Sequence, residues 1–237
     1  DERGIAATLN DLGCIWMMQQ RTEEAIPLWE EGAEIAQNTG ERAAEATIRD
    51  SWGEGLMNLG RYDEAQRQLE EAIQVARAVG NVRVQAHSCL NLSKVYLHQN
   101  QREQASAILN EANALTEQLQ LPYLRGLVLR GNGDLALTQL DLPAEPPAKK
   151  KSDGKSTKTS KSGSKKKGPT KAQIKDGMAT IEDYYRQAIE ILEANGYDGE
   201  AAATREQLAN AFERASMKAK ANKERKAAKK LRELHVV

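Results

Sequence analysis

Three short patterns in this 237-residue sequence resemble sites that bind a nucleotide or a metal ion. Residues 131–136 read Gly-Asn-Gly-Asp-Leu-Ala and match a dinucleotide fingerprint, but that fingerprint works only between a strand and a helix. Residues 154–156 end like a phosphate-binding loop, yet Lys149 stands where the loop needs its first glycine. His87 and His98 are eleven residues apart, too far along a helix to share one ion. We therefore expect no cofactor, no metal site and no enzymatic activity.

The glycine pattern belongs instead to a 40-residue repeat. The small residues that recur with this period are Gly13, Gly53, Ser93 and Gly133. Alanine follows twelve residues later in the first three units, at Ala25, Ala65 and Ala105. A large residue follows the small one by sixteen, at Trp29, Leu69 and Leu109. Large and small residues at helical spacing indicate two helices per unit that approach closely at the small positions, so the sequence predicts an all-α fold of stacked helix–turn–helix units.

The first unit resembles the tetratricopeptide repeat. The residues that carry this resemblance are Leu9, Leu12, Gly13, Trp16, Ala25, Trp29 and Gly32. The family's usual period is 34 residues, and the longer period here is similar to that of kinesin light chains, spindle-orientation adaptors and bacterial signalling ATPases. The resemblance covers residues 6–140 and implies a right-handed α-solenoid that serves in protein recognition.

Beyond residue 140 the register returns if about 36 residues are inserted between the two helices of the fourth unit, because Ile181, Tyr185, Ala188 and Gly196 then occupy the expected positions. We expect repeats 1–3 and the first helix of repeat 4 in 1–140, and a disordered Lys/Ser/Pro-rich insert in 141–176. The second helix of repeat 4 is predicted in 177–199. A single capping helix with a basic extension is predicted in 200–237, since no Gly, Pro or turn cluster separates Phe212 from Ala221.

Charge is distributed very unevenly, although 34 Lys+Arg balance 34 Asp+Glu. Residues 149–171 contain ten lysines and one acid, and residues 214–232 contain nine basic residues and one acid. The remaining chain is therefore strongly acidic. No apolar run approaches the roughly 18 residues that span a bilayer, and the N-terminus has no signal-peptide pattern, so we expect a cytoplasmic fragment of a longer protein that does not bind membranes.

The resemblance also implies where a partner binds, because the first helices of such repeats line a concave groove. A protein or peptide ligand is expected there. The residues that map to this groove are Asn10, Cys14, Met17, Met18, Thr47, Asp50, Glu54, Met57, His87, Leu90, Lys94, His98, Arg130 and Asp134. The basic residues of the clamp by which some family members grip a chaperone's C-terminus are missing, so that activity is not expected.

The basic segments suggest an alternative, in which the chain is a scaffold that binds nucleic acid or another polyanion through phosphate contacts. The insert lacks arginine and aromatic residues, which argues against reading of base sequence. The lysines that would carry such binding are Lys149, Lys150, Lys151, Lys165, Lys166, Lys167, Lys226, Lys229 and Lys230.

Overall fold

A computed structural model of the chain describes residues 2–140, 142 and 168–233. Within these ranges all regular structure is α-helical. The helices are α1 (Glu2–Met18), α2 (Thr22–Asn38), α3 (Arg42–Asn58), α4 (Tyr62–Ala78), α5 (Val82–His98), α6 (Arg102–Leu119), α7 (Pro122–Gln139), α8 (Lys171–Ala194), α9 (Asp198–Arg214) and α10 (Lys218–Glu233). The predicted all-α class is confirmed.

The helices stack as a solenoid of hairpins. Each helix packs against the next along the chain, and α1 also contacts α3, α3 contacts α5, and α5 contacts α7. Helices that touch their next-but-one neighbours lie on the more tightly curved side of such a stack. The odd-numbered helices up to α7 therefore form the inner layer of the solenoid.

The turns between helices follow a period of 20 residues. A residue with positive φ ends most hairpin helices; these residues are Gln20, Gly40, Gly60, Gly80, Asn100, Gln120, Gly196 and Ser216. At Gly40 the following amide, from Glu41, donates to the Ala36 carbonyl at 2.8 Å, which is the Schellman closure of a helix end. The same bond recurs from Met217 to the Phe212 carbonyl at 2.7 Å. A left-handed residue therefore ends the helix at each of these places.

The small-residue column marks the closest approach within three hairpins. A Cβ added to Gly13 would lie 2.6 Å from Trp29 Nε1, and one added to Gly53 would lie 2.6 Å from Leu69 Cγ. In the fourth hairpin a Cβ on Gly133 would lie 3.0 Å from Tyr185 Cε2. Tyr185 on α8 thus packs against α7 as Trp29 packs against α1, although the residues between α7 and α8 lengthen that connection.

Two predicted boundaries are wrong. Helix α8 begins at Lys171 and not at 177, because Thr170 Oγ1 accepts from the Gln173 amide and Gln173 Oε1 accepts from the Thr170 amide, which together form a capping box. The expected disorder of the preceding residues concerns 141 and 143–167, which lie outside the described residues.

The single capping helix is also wrong, since residues 198–233 form the helix pair α9 and α10. Ser216, with φ of 61°, supplies the left-handed turn between them without a glycine. The packing that offsets its backbone cost comes from Ala221 and Ala228, which are buried against the pair's interior. Glu224, also buried, binds Arg186 of α8 and Arg205 of α9, both at 2.8 Å. The fifth unit is therefore a hairpin like the others.

Candidate functional site

The predicted groove residues all lie on the inner-layer helices α1, α3, α5 and α7. Their side chains nevertheless differ in solvent exposure. Leu90 is 1 % exposed and packs near Gly131, so the prediction that it contacts a ligand is wrong. Met18 is 82 % exposed at the end of α1. Met57 is half-buried and packs against the core formed by α3–α7.

Asp50 of α3 organises a polar cluster with residues of α5. Its carboxylate accepts from His87 Nδ1 at 2.7 Å, from Ser88 Oγ at 2.8 Å and from Asn91 Nδ2 at 3.4 Å. Lys94 Nζ donates to Asn91 Oδ1 at 3.0 Å, which extends the cluster along α5. These five side chains are thus fixed relative to one another across two repeats.

Electrostatics keep His87 basic. Burial alone would lower the pKa of His87, but the charge and hydrogen bond of Asp50, together with the charge of Glu54, outweigh it, so the pKa is raised. Lys94 responds in the opposite direction. Burial and the neighbouring Arg130 charge lower the pKa of Lys94. The pKa values of His87 and Lys94, about two turns apart on α5, are therefore shifted in opposite directions.

A second cluster lies on α7. Asp134 accepts a hydrogen bond from Tyr185 Oη at 2.5 Å, and burial raises the pKa of Asp134 despite this bond. Arg130 pairs with Glu200 of α9 at 2.8 Å. The Asp134–Tyr185 bond lies within the fourth hairpin, and the Arg130–Glu200 pair joins this hairpin to the next one. They also place Arg130 and Asp134 beside the cluster around Lys94, whose pKa is affected by both.

Other predicted groove residues lie apart from these clusters. Thr47 is exposed and its Oγ1 donates to the Ala43 carbonyl at 3.0 Å. His98 stacks on Tyr62 with ring centroids 4.6 Å apart. Half-buried Cys14 lies on α1, and its pKa is raised chiefly by burial. Asn10 Oδ1 is buried without a hydrogen-bond partner among the described residues.

Sequence reasoning missed a cavity of about 430 Å³ next to the Asp50 cluster. Asp50 and His87 form one side of it, and Arg83, Tyr123 and Tyr197 form much of the rest. The rings of Tyr123 and Tyr197 are tilted against each other at a centroid distance of 5.0 Å. These three residues lie at the turns that begin α5, α7 and α9. Arg83 and Tyr123 are 40 residues apart, so the 20-residue turn period could have placed these two at one edge of the inner layer.

The lysines named for polyanion binding divide into two groups. Lys226, Lys229 and Lys230 are exposed on α10, and Lys229 pairs with Glu233 at 3.6 Å. The other six, in 149–151 and 165–167, lie outside the described residues. Among the residues that the structure describes, no three His, Cys, Asp or Glu side chains are arranged to hold a metal ion. None of the described helices is long and apolar enough to cross a membrane.

Comparison with known proteins identifies the repeats. Two family models, both described as tetratricopeptide repeat, match residues 5–39 and 45–118. No curated protein sequence matches the chain. A Rap protein complexed with Competence and Sporulation Factor is similar in structure, with 13 % identity and a TM-score of 0.72, over 96 % of this chain and 54 % of that one. This chain therefore spans about half the length of the Rap protein.

Two further structures share the fold. A kinesin-light-chain-like protein of Podosopora anserina with nearly identical TPR-like repeats has 12 % identity and a TM-score of 0.61, covering 100 % of this chain and 99 % of that one. A signal transduction ATPase with a tetratricopeptide repeat sensor, from Pyrococcus horikoshii, has 12 % identity and a TM-score of 0.62, covering 90 % of this chain and 28 % of that one. With the family models and the stacked hairpins in agreement, residues 5–39 and 45–118 are tetratricopeptide repeats.

Proposed function

We propose that the chain is a protein-interaction module whose inner layer holds a segment of a partner protein. The observation that carries this proposal is the polar surface made by three successive repeats. Asp50 on α3, the His87–Lys94 stretch of α5 and the Arg130–Asp134 stretch of α7 supply both hydrogen-bond donors and acceptors within one electrostatically linked set. An extended peptide presents the same two kinds of group along its backbone.

The fixed geometry of this surface favours binding. Side chains that already hold one another lose little rotamer entropy when a ligand arrives, and this lowers the cost of association. Some of the hydrogen-bonding groups of this surface have no partner among the described residues. The ammonium of Lys94 has three hydrogens, of which the bond to Asn91 uses one, and Asn10 Oδ1 accepts none from the described residues. A peptide that runs along α1, α3 and α5 would meet these groups in turn.

The relatives support the same conclusion by analogy of fold. The Rap structure contains Competence and Sporulation Factor, and the archaeal ATPase uses its tetratricopeptide repeats as a sensor. Both descriptions concern recognition of another molecule. We extend them to this chain as part of the proposal and assign recognition, with no reaction of its own, to the segment.

The test begins with a random peptide display selection on the immobilised chain, which provides a ligand for measurement. Asn10→Ala and Lys94→Met should each weaken binding of the selected peptide by at least tenfold, because each removes an unused hydrogen-bonding group from the inner layer. The control is Arg67→Gln, an exposed arginine of α4 outside the groove set. Circular dichroism establishes that each variant is folded. Equal affinities for all four proteins would refute the proposal.

Polyanion binding is a second candidate, and it rests on the exposed lysines 226, 229 and 230 of α10. Such binding is sequence-independent and falls steeply with salt. Affinity for a 20-nucleotide single strand should then drop by more than tenfold between 50 and 200 mM salt, and Lys226→Gln with Lys229→Gln should lower it further. A ligand whose affinity is unchanged by salt and by deletion of 143–167 is a groove ligand.

A further inference from the structure

The cavity beside the Asp50 cluster combines apolar walls with polar groups at one end. Its volume of about 430 Å³ lies in the range of sites that enclose small organic groups. Val84, Leu121 and Leu124 contribute aliphatic surface, and the two tyrosine rings contribute aromatic surface. Cavities of this kind bind the body of a ligand through the hydrophobic effect and orient it through a few polar contacts.

The polar groups left unused in the cavity are mainly donors. His87 employs Nδ1 on Asp50, which leaves its Nε2 without a hydrogen-bond partner among the described residues. Arg83 makes no hydrogen bond or ion pair within the described part of the chain, and the hydroxyls of Tyr123 and Tyr197 likewise make no hydrogen bond to described residues. A guanidinium only donates, and a protonated imidazole donates from both nitrogens.

The acceptor in the cavity is already occupied. Asp50 receives three hydrogen bonds, two to Oδ1 and one to Oδ2, one of them from His87 Nδ1. His87 consequently carries a hydrogen on Nδ1, and its raised pKa favours a second hydrogen on Nε2. A ligand group that enters this end therefore finds donors in need of an acceptor.

The wider surroundings carry charges of both signs. The charged groups on the packed helices include Asp50 and Glu54 on α3, Arg83 and Lys94 on α5, Arg130 and Asp134 on α7, and Asp198 and Glu200 on α9. Glu200 is neutralised by Arg130, and Asp50 is paired with His87. The negative charge of Glu54 acts on both His87 and Lys94. Among the described residues that line the cavity, exposed Arg83 is the permanent cation left for a ligand.

From this arrangement we infer that the cavity binds an organic carboxylate with an apolar body, its carboxylate held by Arg83 and His87 and its body held between Tyr123 and the aliphatic wall. The carboxylate belongs either to a free small acid or to an acidic side chain of the segment that the inner layer holds. The second source rests on the proposed function, whereas the cavity's preference for a carboxylate does not.

The probe that tests the preference is 3-phenylpropionate, with the isosteric 3-phenylpropionamide as its neutral counterpart. Binding is followed by the imidazole ¹⁵N signals of the chain, which contains three histidines. We expect a Kd on the order of 1 mM for the acid, as for a good ligand of its size, and at least tenfold weaker binding of the amide. The signals of one histidine should move, and His87→Gln should abolish that signal.

Two variants separate local contact from general charge. Arg83→Gln should weaken binding of the acid by roughly tenfold, because a charge-assisted hydrogen bond is lost. Arg67→Gln, which removes the same charge outside the cavity, should leave the Kd within twofold. Affinity should also fall as pH rises through the pKa of His87, since the deprotonated Nε2 no longer donates. Equal binding of acid and amide, or equal effects of the two arginine variants, would overturn the inference.

The source of the carboxylate is resolved by a second pair of probes, N-acetyl-Phe-Glu-amide and N-acetyl-Phe-Gln-amide. Tighter binding of the Glu dipeptide than of 3-phenylpropionate assigns the cavity to a side chain of a bound segment. The reverse order assigns it to a free acid. Neither measurement requires the partner of the groove, so failure of the proposed function and failure of the carboxylate site give different results.

Discussion

Replacement of Gly53 by alanine provides a direct test of how the hairpins are packed. The new Cβ would lie 2.6 Å from Leu69 Cγ and 2.7 Å from Cδ2. Carbon atoms in favourable contact are about 3.5–4.0 Å apart, so Leu69 would have to move by about 1 Å. Leu69 is fully buried in the core of α3–α7 and has no solvent to turn into. Either helices α3 and α4 must therefore separate, or the side chain of Leu69 must adopt a strained rotamer.

The expected size follows from two opposing effects. Overpacking of a filled core costs about 1–3 kcal/mol, whereas alanine in place of glycine favours a helix by about 1 kcal/mol. The matched control is Gly199→Ala on α9, because a Cβ there meets no atom within 4 Å. This control gains the helix preference without the clash. The difference in unfolding free energy between the two variants, about 1–3 kcal/mol, therefore measures the overpacking alone.

Urea denaturation followed by far-UV circular dichroism gives the two free energies, and amide exchange localises the loss to α3 and α4. The double variant Gly53→Ala with Leu69→Ala should be less destabilised than the sum of its single variants, because the truncated Leu69 leaves room for the new methyl group. If Gly53→Ala were as stable as Gly199→Ala, the close approach of the helices would not be an energetic constraint and the packing argument would be refuted.

Three further predictions concern buried ionisable groups. Glu224→Gln should lower the unfolding free energy by about 1–3 kcal/mol in urea titrations, less than for a fully buried pair because its two arginine partners are partly exposed. His87 has a raised pKa in the folded chain, so its contribution to stability is present below about 6.5 and is lost as pH rises through the folded pKa. The stability difference between wild type and His87→Gln should therefore shrink with rising pH. Iodoacetamide should modify half-buried Cys14 slowly and Cys89 only on unfolding, because burial raises both thiol pKa values and Cys89 is fully covered.

Each of these has a clear contrary result. Unchanged stability of the Glu224 variant would mean that α10 is held by its alanines alone. A stability difference that grows with pH would show that the folded pKa of His87 is lowered. Modification of Cys89 in the folded chain, detected by mass spectrometry, would contradict its burial.

The repeat pattern predicted the fold because each helix pair requires the same residue sizes at the same positions. Each hairpin needs a small residue where it faces a large one, as Gly53 faces Leu69, so the spacing of small and large residues repeats in the sequence. The capping box of Thr170 and Gln173 is also a pattern visible in the sequence, and it indicates that α8 begins at residue 171 and not at 177. Ser216 was harder to interpret, because serine rarely adopts positive φ; only the 20-residue spacing of the other turns indicates a helix end there.

The sequence by itself determined the helical class, the hairpin repeat and the helices that carry the proposed groove residues, because each depends on periodic local packing. The tertiary structure alone decided which side chains meet. Asp50 reaches His87 across 37 residues of sequence, and Tyr185 reaches Asp134 across 51. Leu90 belongs to the core although its register position suggested the groove. The Asp50–His87 contact joins two hairpins and depends on how they stack, and a pattern within one hairpin carries no information on that distance.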